Sequence, residues 1–149
     1  MAEVLFYHLT ESTLDDALPG LLERSLSRGW RAVVQFGTEE RRDSLDAHLW
    51  SFRDDSFLAH GTDRELHAAE QPVLLTVSAE NANDAQIRFL VDGAEPPDIS
   101  GYERAVFLFD GHDTVQVDAA RAHWKTMKAG GNAVTYWQQT PDKRWERKA

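Results

Sequence analysis

Short apolar runs alternate with helix-like segments along most of the chain. Apolar runs that are rich in β-branched and aromatic residues predict strands at residues 4–9, 30–36, 72–77, 86–91, 104–109 and 133–138. The segment 51–70 and the tail after residue 138 are polar and irregular, and their pattern predicts neither a strand nor a helix.

Helical spacing of apolar residues occurs in three of the intervening segments. The first follows Ser12 or Thr13 as N-cap, and Pro19 inside it predicts either a later start near that residue or a kink. The second follows Thr38 and has Leu45, Leu49 and Trp50 on its inner side. The third covers residues 114–128, after Asp110 or Asp113 as cap, and ends at Gly130.

Strand–helix alternation with nearly continuous apolar strands indicates a parallel sheet that is covered on both faces. We therefore predict an α/β fold, a three-layer α/β/α domain around a mostly parallel sheet of about five to six strands. We expect one domain over residues 1–149, and the pattern does not give the strand order.

Composition and charge narrow the function classes. The chain has 149 residues and a net charge of −9, and it has no cysteine, which excludes disulfides and thiolate metal sites. Residues 1–120 carry 9 Lys+Arg against 23 Asp+Glu, whereas residues 121–149 carry 7 against 2. An acidic body argues against direct, high-affinity nucleic-acid binding. The absence of a signal sequence or a long apolar run leads us to expect a cytoplasmic protein without membrane contact.

Three carboxylates are the candidates for an enzyme site. Asp92 follows the strand at 86–91, and Asp110 and Asp113 follow the strand at 104–109, where ligands of open α/β sheets bind. Together they could hold Mg²⁺ in a phosphotransfer or hydrolase enzyme. The alternative is structural, with Asp110 and Asp113 as helix caps and Asp92 in a turn. Nucleotide, hydrolase and zinc-protease motifs are absent from the sequence.

The third helix combines an aromatic residue with basic ones. Trp124 belongs to an apolar stripe, and Arg121, Lys125 and Lys128 lie beside it at helical spacing. This pattern suits an acidic peptide with an apolar end, and a solvated basic face is the alternative.

Other aromatic residues suggest further recognition surfaces. Trp50, Phe52 and Phe57 do not fit one buried face, so they are either exposed recognition residues or anchors of a loop. Trp137 or Trp145 in the basic tail could instead stack on the bases of single-stranded DNA.

Short motifs in the same order along the whole chain resemble the chi subunit family of bacterial DNA polymerase III. The matching segments are Phe6-Tyr7, Leu45-Asp46-x-x-Leu49-Trp50, Ser56-Phe57-Leu58-x-His60, Pro72-Val73, the loop from Val91 to Pro97, Ala120-Arg121-x-x-Trp124-Lys125 and Tyr136-Trp137-Gln138-Gln139. Ala59 stands where this family has a proline.

The resemblance implies a non-catalytic accessory subunit of the clamp-loader assembly, without cofactor or metal. In that family the subunit links the clamp loader to single-stranded-DNA-binding protein by capturing its acidic, Phe-terminated C-terminal tail. It also pairs with a psi subunit where one exists, and a repair helicase is a further candidate partner. Carried over by position, the pocket for the tail comprises Trp50, Phe57, Arg121, Trp124 and Lys125, with His60 and Lys128 as additional candidates.

Overall fold

The computed structural model describes residues 2–51 and 58–149, and these residues form three α-helices and eight strands. The helices are α1 (Leu14–Ser27), α2 (Glu39–Ser51) and α3 (Thr114–Ala129). The strands are β1 (Glu3–Leu9), β2 (Ala32–Gln35), β3 (Gly61–Thr62), β4 (Val73–Thr76), β5 (Ile87–Leu90), β6 (Arg104–Asp110), β7 (Ala133–Gln139) and β8 (Trp145–Arg147).

The strands form one sheet in the order β3-β4-β2-β5-β6-β1-β7-β8. Neighbouring strands are parallel except for β8, which runs antiparallel to β7. The first strand lies between β6 and β7, with Phe6 paired with Phe107 on one side and with Tyr136 on the other. This placement brings the ends of the chain side by side in the sheet.

Helices cover the two faces of the sheet and define two cores. On the α1/α2 face, Leu18, Leu22, Leu45 and Leu49 pack on the odd-numbered residues of β1. On the α3 face, helix α3 and the segment 92–103 pack on the even-numbered residues of β1, such as Phe6. The predicted three-layer α/β/α arrangement is confirmed. None of the helices in the described residues has the length and apolar character needed to span a membrane.

The sheet is larger than the five to six strands that we predicted. Its additional members are β3, which has two residues, and β8, which has three. Strands this short contain too few residues for an apolar alternation to show. Both lie in segments that the sequence pattern left without structure, and residues 52–57 of the first segment are outside the described residues.

Helix α1 begins before Pro19 and continues through it. Thr13 caps the helix, because its side-chain oxygen accepts from the Asp16 backbone N–H at 3.3 Å. A proline cannot donate to the carbonyl four residues earlier, which here belongs to Asp15. That carbonyl accepts instead from His48 Nε2 of α2, at 2.8 Å. The neighbouring helix therefore replaces the bond that Pro19 cannot make, and the later start near Pro19, one of our two alternatives, is wrong because the helix begins at Leu14.

A double-mutant cycle tests this replacement. We expect His48→Ala to lower the free energy of unfolding by about 1 kcal/mol, because the Asp15 carbonyl loses its donor. In a Pro19→Ala background the loss should be smaller by at least about 0.5 kcal/mol, since the backbone N–H of the introduced alanine can then donate to the Asp15 carbonyl. Urea denaturation of the four proteins measures the coupling, with His67→Ala as the control at an exposed histidine. If the losses of unfolding free energy in His48→Ala and Pro19→Ala simply add in the double mutant, His48 does not replace the missing Pro19 hydrogen bond.

Candidate functional site

Helix α3 is fixed at its start by a cap and along its length by apolar contacts. Asp113 accepts from the backbone N–H groups of Val115 and Gln116, at 3.0 and 3.3 Å. The inward side of helix α3 packs on the sheet through the apolar stripe that the sequence predicts. The stripe consists of Val117, Ala120, Trp124 and Met127. The basic residues are left on the outer side, with Arg121, Lys125 and Lys128 all exposed.

Trp124 lies at the border between this core and solvent. Its ring makes edge contacts with Phe6 of β1 and Tyr136 of β7, at centroid distances of 5.5 and 5.7 Å. Lys128 Nζ lies 5.3 Å from the centroid of the same ring, within the range of a cation–π contact. The indole is therefore held on two sides by the sheet and is flanked by a cation on its third side.

Arg121 is an exposed cation that forms only a weak ion pair within the described residues. Its side chain is 75% exposed, and its ion pair with Asp118 is long, at 4.0 Å. Exposed pairs of this kind contribute little free energy, so the guanidinium can exchange Asp118 for another carboxylate. Arg121 also acts electrostatically on His8 and Tyr136, which places it on the β1/β7 side of the helix.

A histidine–tyrosine pair that we did not predict lies next to Trp124. His8 Nδ1 is 2.7 Å from the Tyr136 hydroxyl, and the two rings meet edge to face at 5.9 Å. Burial, together with nearby His112 and Arg121, holds the pKa of His8 below its usual value, while Asp110 acts in the opposite direction. The alternation of side chains along a strand could have predicted this pair. Even-numbered residues of both β1 and β7 point to the α3 face.

Trp50 and His60 form a second, separate surface at the end of α2. His60 is buried, with Nδ1 at 2.8 Å from the Leu58 carbonyl and Nε2 at 3.0 Å from an Asp46 carboxylate oxygen. The Trp50 ring packs on His60 at 4.5 Å and remains 57% exposed, so our prediction of Trp50 on the inner side of α2 with Leu45 and Leu49 is wrong. Phe57, which we predicted beside them, lies outside the described residues.

The predicted pocket is therefore divided between two faces of the sheet. Trp50 and His60 lie with α2, whose leucines pack on the α1/α2 face near β3 and β4. Trp124 packs on the opposite face, over β1 and β7. Our expectation that Trp50 and Trp124 line one pocket is corrected by this placement. The cause is topological, because β2 and β6 lead into helices on opposite faces.

The carboxylates of the enzyme hypothesis have local structural partners. Asp92 accepts from the Thr38 hydroxyl at 3.3 Å, and Asp110 accepts from the His112 backbone N–H at 2.8 Å. Asp113 is the N-cap of α3. Asp92 and Asp110 do line a cavity of about 430 Å³ at the carboxyl ends of β1 and β6. Within the described ranges, however, acidic and histidine side chains form no group of three or more that could hold a metal ion.

The tryptophans proposed to stack on DNA bases are partly buried. Trp145 packs on Tyr7 at 4.6 Å, and Trp137 donates its indole N–H to the Thr135 hydroxyl at 2.9 Å. Both belong to the edge of the core on the α1/α2 face.

Comparison with known proteins agrees with the motifs in the sequence. Two curated relatives are a probable DNA polymerase III subunit chi of Rickettsia prowazekii, 23% identical over 67% of this chain, and a DNA polymerase III subunit chi of Pseudomonas aeruginosa, 27% identical over 59%. These matches cover 59% and 61% of the relatives, so the chain spans about three fifths of their length.

A family model matches a larger part of the chain. The model described as DNA polymerase III chi subunit, HolC, matches residues 1–135, from the start of the chain into β7. The match includes all three helices and ends just before Tyr136. The chain belongs to the DNA polymerase III chi subunit family.

Proposed function

We propose that this protein is a non-catalytic accessory subunit of the DNA polymerase III holoenzyme, in the cytoplasm at the replisome. In this role it links the clamp loader to single-stranded-DNA-binding protein by capturing the acidic, Phe-terminated tail of that protein. The observation that carries the proposal is the surface of α3, where Trp124 is flanked by three exposed basic residues, Arg121, Lys125 and Lys128. Family membership supports the assignment to the replicase.

The chemistry of the α3 surface matches the two features of such a tail. Guanidinium and ammonium groups one and two turns apart can contact successive carboxylates, and Arg121 can take one of them in a bidentate geometry. The partly exposed Trp124 ring offers an apolar wall for the terminal phenylalanine. Because these contacts lie near solvent, the affinity should be moderate and should decrease with salt.

The Trp50–His60 surface belongs to the helix layer on the opposite face of the sheet from Trp124, so we propose that it serves a different protein of the assembly. The supporting observation is a large aromatic side chain that remains 57% exposed over a buried histidine, whose ring nitrogens lie 2.8 Å from the Leu58 carbonyl and 3.0 Å from an Asp46 carboxylate oxygen. A psi subunit, the clamp loader or a repair helicase are the candidate occupants.

Peptide titration tests the assignment of the α3 surface. A fluorescein-labelled peptide ending in Asp-Asp-Ala-Ala-Pro-Phe should bind the wild-type protein, and Arg121→Ala and Trp124→Ala should each weaken binding about tenfold or more. Fluorescence anisotropy measures the affinities, and circular dichroism checks that Trp124→Ala keeps its fold. As a specificity control, a peptide with a terminal alanine in place of phenylalanine should bind more weakly. Failure of the wild-type protein to bind would sink the proposal.

The separation of the two surfaces gives an independent prediction. Because Trp50 lies on the other face of the sheet, Trp50→Ala should leave the affinity for the same peptide within about twofold of the wild-type value. The matched comparison is Trp124→Ala, which removes the same side chain from the α3 surface. A loss with Trp50→Ala as large as that with Trp124→Ala would mean that one surface includes both tryptophans.

A further inference from the structure

The last two strands of the chain, β7 and β8, form a hairpin next to α3. In the β7–β8 hairpin, Gln138 pairs with Glu146, and the next position outward places Lys148 opposite Tyr136, whose carbonyl accepts from the Lys148 N–H at 2.7 Å. Side chains of directly opposed residues lie on the same face of a sheet. Since Tyr136 packs on the α3 face, Lys148 lies on that face too.

This arrangement places cations on both sides of an aromatic surface. Arg121 and Lys128 lie along α3, Lys148 lies on the hairpin, and the contacting rings of Trp124 and Tyr136 connect the two elements. The acidic residues beside these cations are Asp118, 4.0 Å from Arg121, and Glu146, 3.3 Å from Lys148 Nζ. Both pairs are exposed, so an incoming carboxylate can replace either at a small cost.

A titratable side chain, His8, lies next to Tyr136 on this face. His8 is the next even-numbered residue of β1 after Phe6, and its Nδ1 meets the Tyr136 hydroxyl. The charged and titratable groups that face His8 are Asp110 on β6, His112 after β6, Arg121 on α3 and Tyr136 on β7. A neutral His8 with its proton on Nε2 accepts the Tyr136 O–H, whereas a protonated His8 donates to the Tyr136 oxygen. In the protonated state the hydroxyl proton is therefore available to a bound carboxylate.

We propose that the acidic-peptide site extends from α3 across the β7–β8 hairpin, with Lys148 and Tyr136 as direct contacts and His8 as the residue that positions the Tyr136 hydroxyl. The inference rests on the proposed function, because the occupant is the same acidic peptide. It goes beyond that function because all of the hairpin except the first residues of β7 lies outside the segment that the family model matches. Charge complementarity favours this occupant, since residues 121–149 hold 7 Lys+Arg against 2 Asp+Glu.

Two adjacent cations at the end of the hairpin provide a matched test. Lys148 lies on the α3 face, and Arg147 pairs with Trp137, which packs on the α1/α2 face. With the labelled peptide described above, Lys148→Gln should weaken binding by about two- to fivefold, and Tyr136→Phe should do the same. Arg147→Gln removes the same charge from the neighbouring position and should change the affinity by less than about 1.5-fold.

The pH dependence separates a contact role of Tyr136 from a purely structural one. Between about pH 7.5 and 5.5 the peptide should bind the wild-type protein more tightly as His8 becomes protonated, because the acidic peptide remains ionised in this range. Burial and the neighbouring cations lower the pKa of His8, so the increase should be concentrated toward the acidic end of the range. The increase should be lost in His8→Asn and reduced in Tyr136→Phe.

The possible outcomes distinguish the extension from the site on α3. If Arg121→Ala abolishes binding while Lys148→Gln and Tyr136→Phe bind like the wild-type protein, the extension is overturned and the α3 site stands. If Lys148→Gln and Arg147→Gln weaken binding equally, the effect is general electrostatics and the extension is also overturned. If the wild-type protein does not bind the peptide, both proposals fail together.

Discussion

The position of β1 between β6 and β7 determines most of what this molecule can do. The strand is largely buried, and its register aligns Phe6 with Phe107 and Tyr136 in adjacent strands. The phenyl rings of Phe6 and Phe107 stack at 4.6 Å, and Trp124 packs on Phe6 from above. Trp124 and the exposed basic residues beside it are thus held in place by direct packing on the central strands. A parallel strand in this place requires crossover connections, and these send the helices to opposite faces.

A second constraint holds the end of the chain against its beginning. The side-chain oxygen of Gln139, the last residue of β7, lies within 2.9–3.2 Å of the backbone N–H groups of Thr10, Glu11 and Ser12. One buried amide therefore serves the whole turn between β1 and α1. Its NH₂ group donates to the Ser12 hydroxyl, so both ends of the amide are used. As a result β7 is fixed at its carboxyl end, and the hairpin that follows starts from a rigid point.

Sequence reasoning succeeded where a pattern is local and failed where it depends on topology. Each long strand, and the Asp113 cap of α3, follows from apolar runs and cap preferences within a few residues. By contrast, Trp50 and Trp124 were expected in one pocket because the resemblance to the chi family was carried over position by position, whereas the local patterns mark two separate patches. Their separation depends on which face each crossover takes, and no local pattern encodes that choice. His8 and Tyr136 are 128 residues apart in the sequence, and their pairing similarly depends on the adjacency of β1 and β7.

The fold distributes the basic residues at the end of the sequence over both faces of the sheet. The basic residues at the end of the sequence are divided by strand parity and by helix periodicity, so only some of them share the face of Trp124. Arg147 points to the α1/α2 face, while Lys148 joins Arg121 and Lys128 on the other. The acidic remainder of the molecule repels phosphate backbones over distances of about a Debye length, roughly 8–10 Å. A short acidic peptide can lie among these local cations, whereas a longer polyanion also meets the acidic remainder of the molecule.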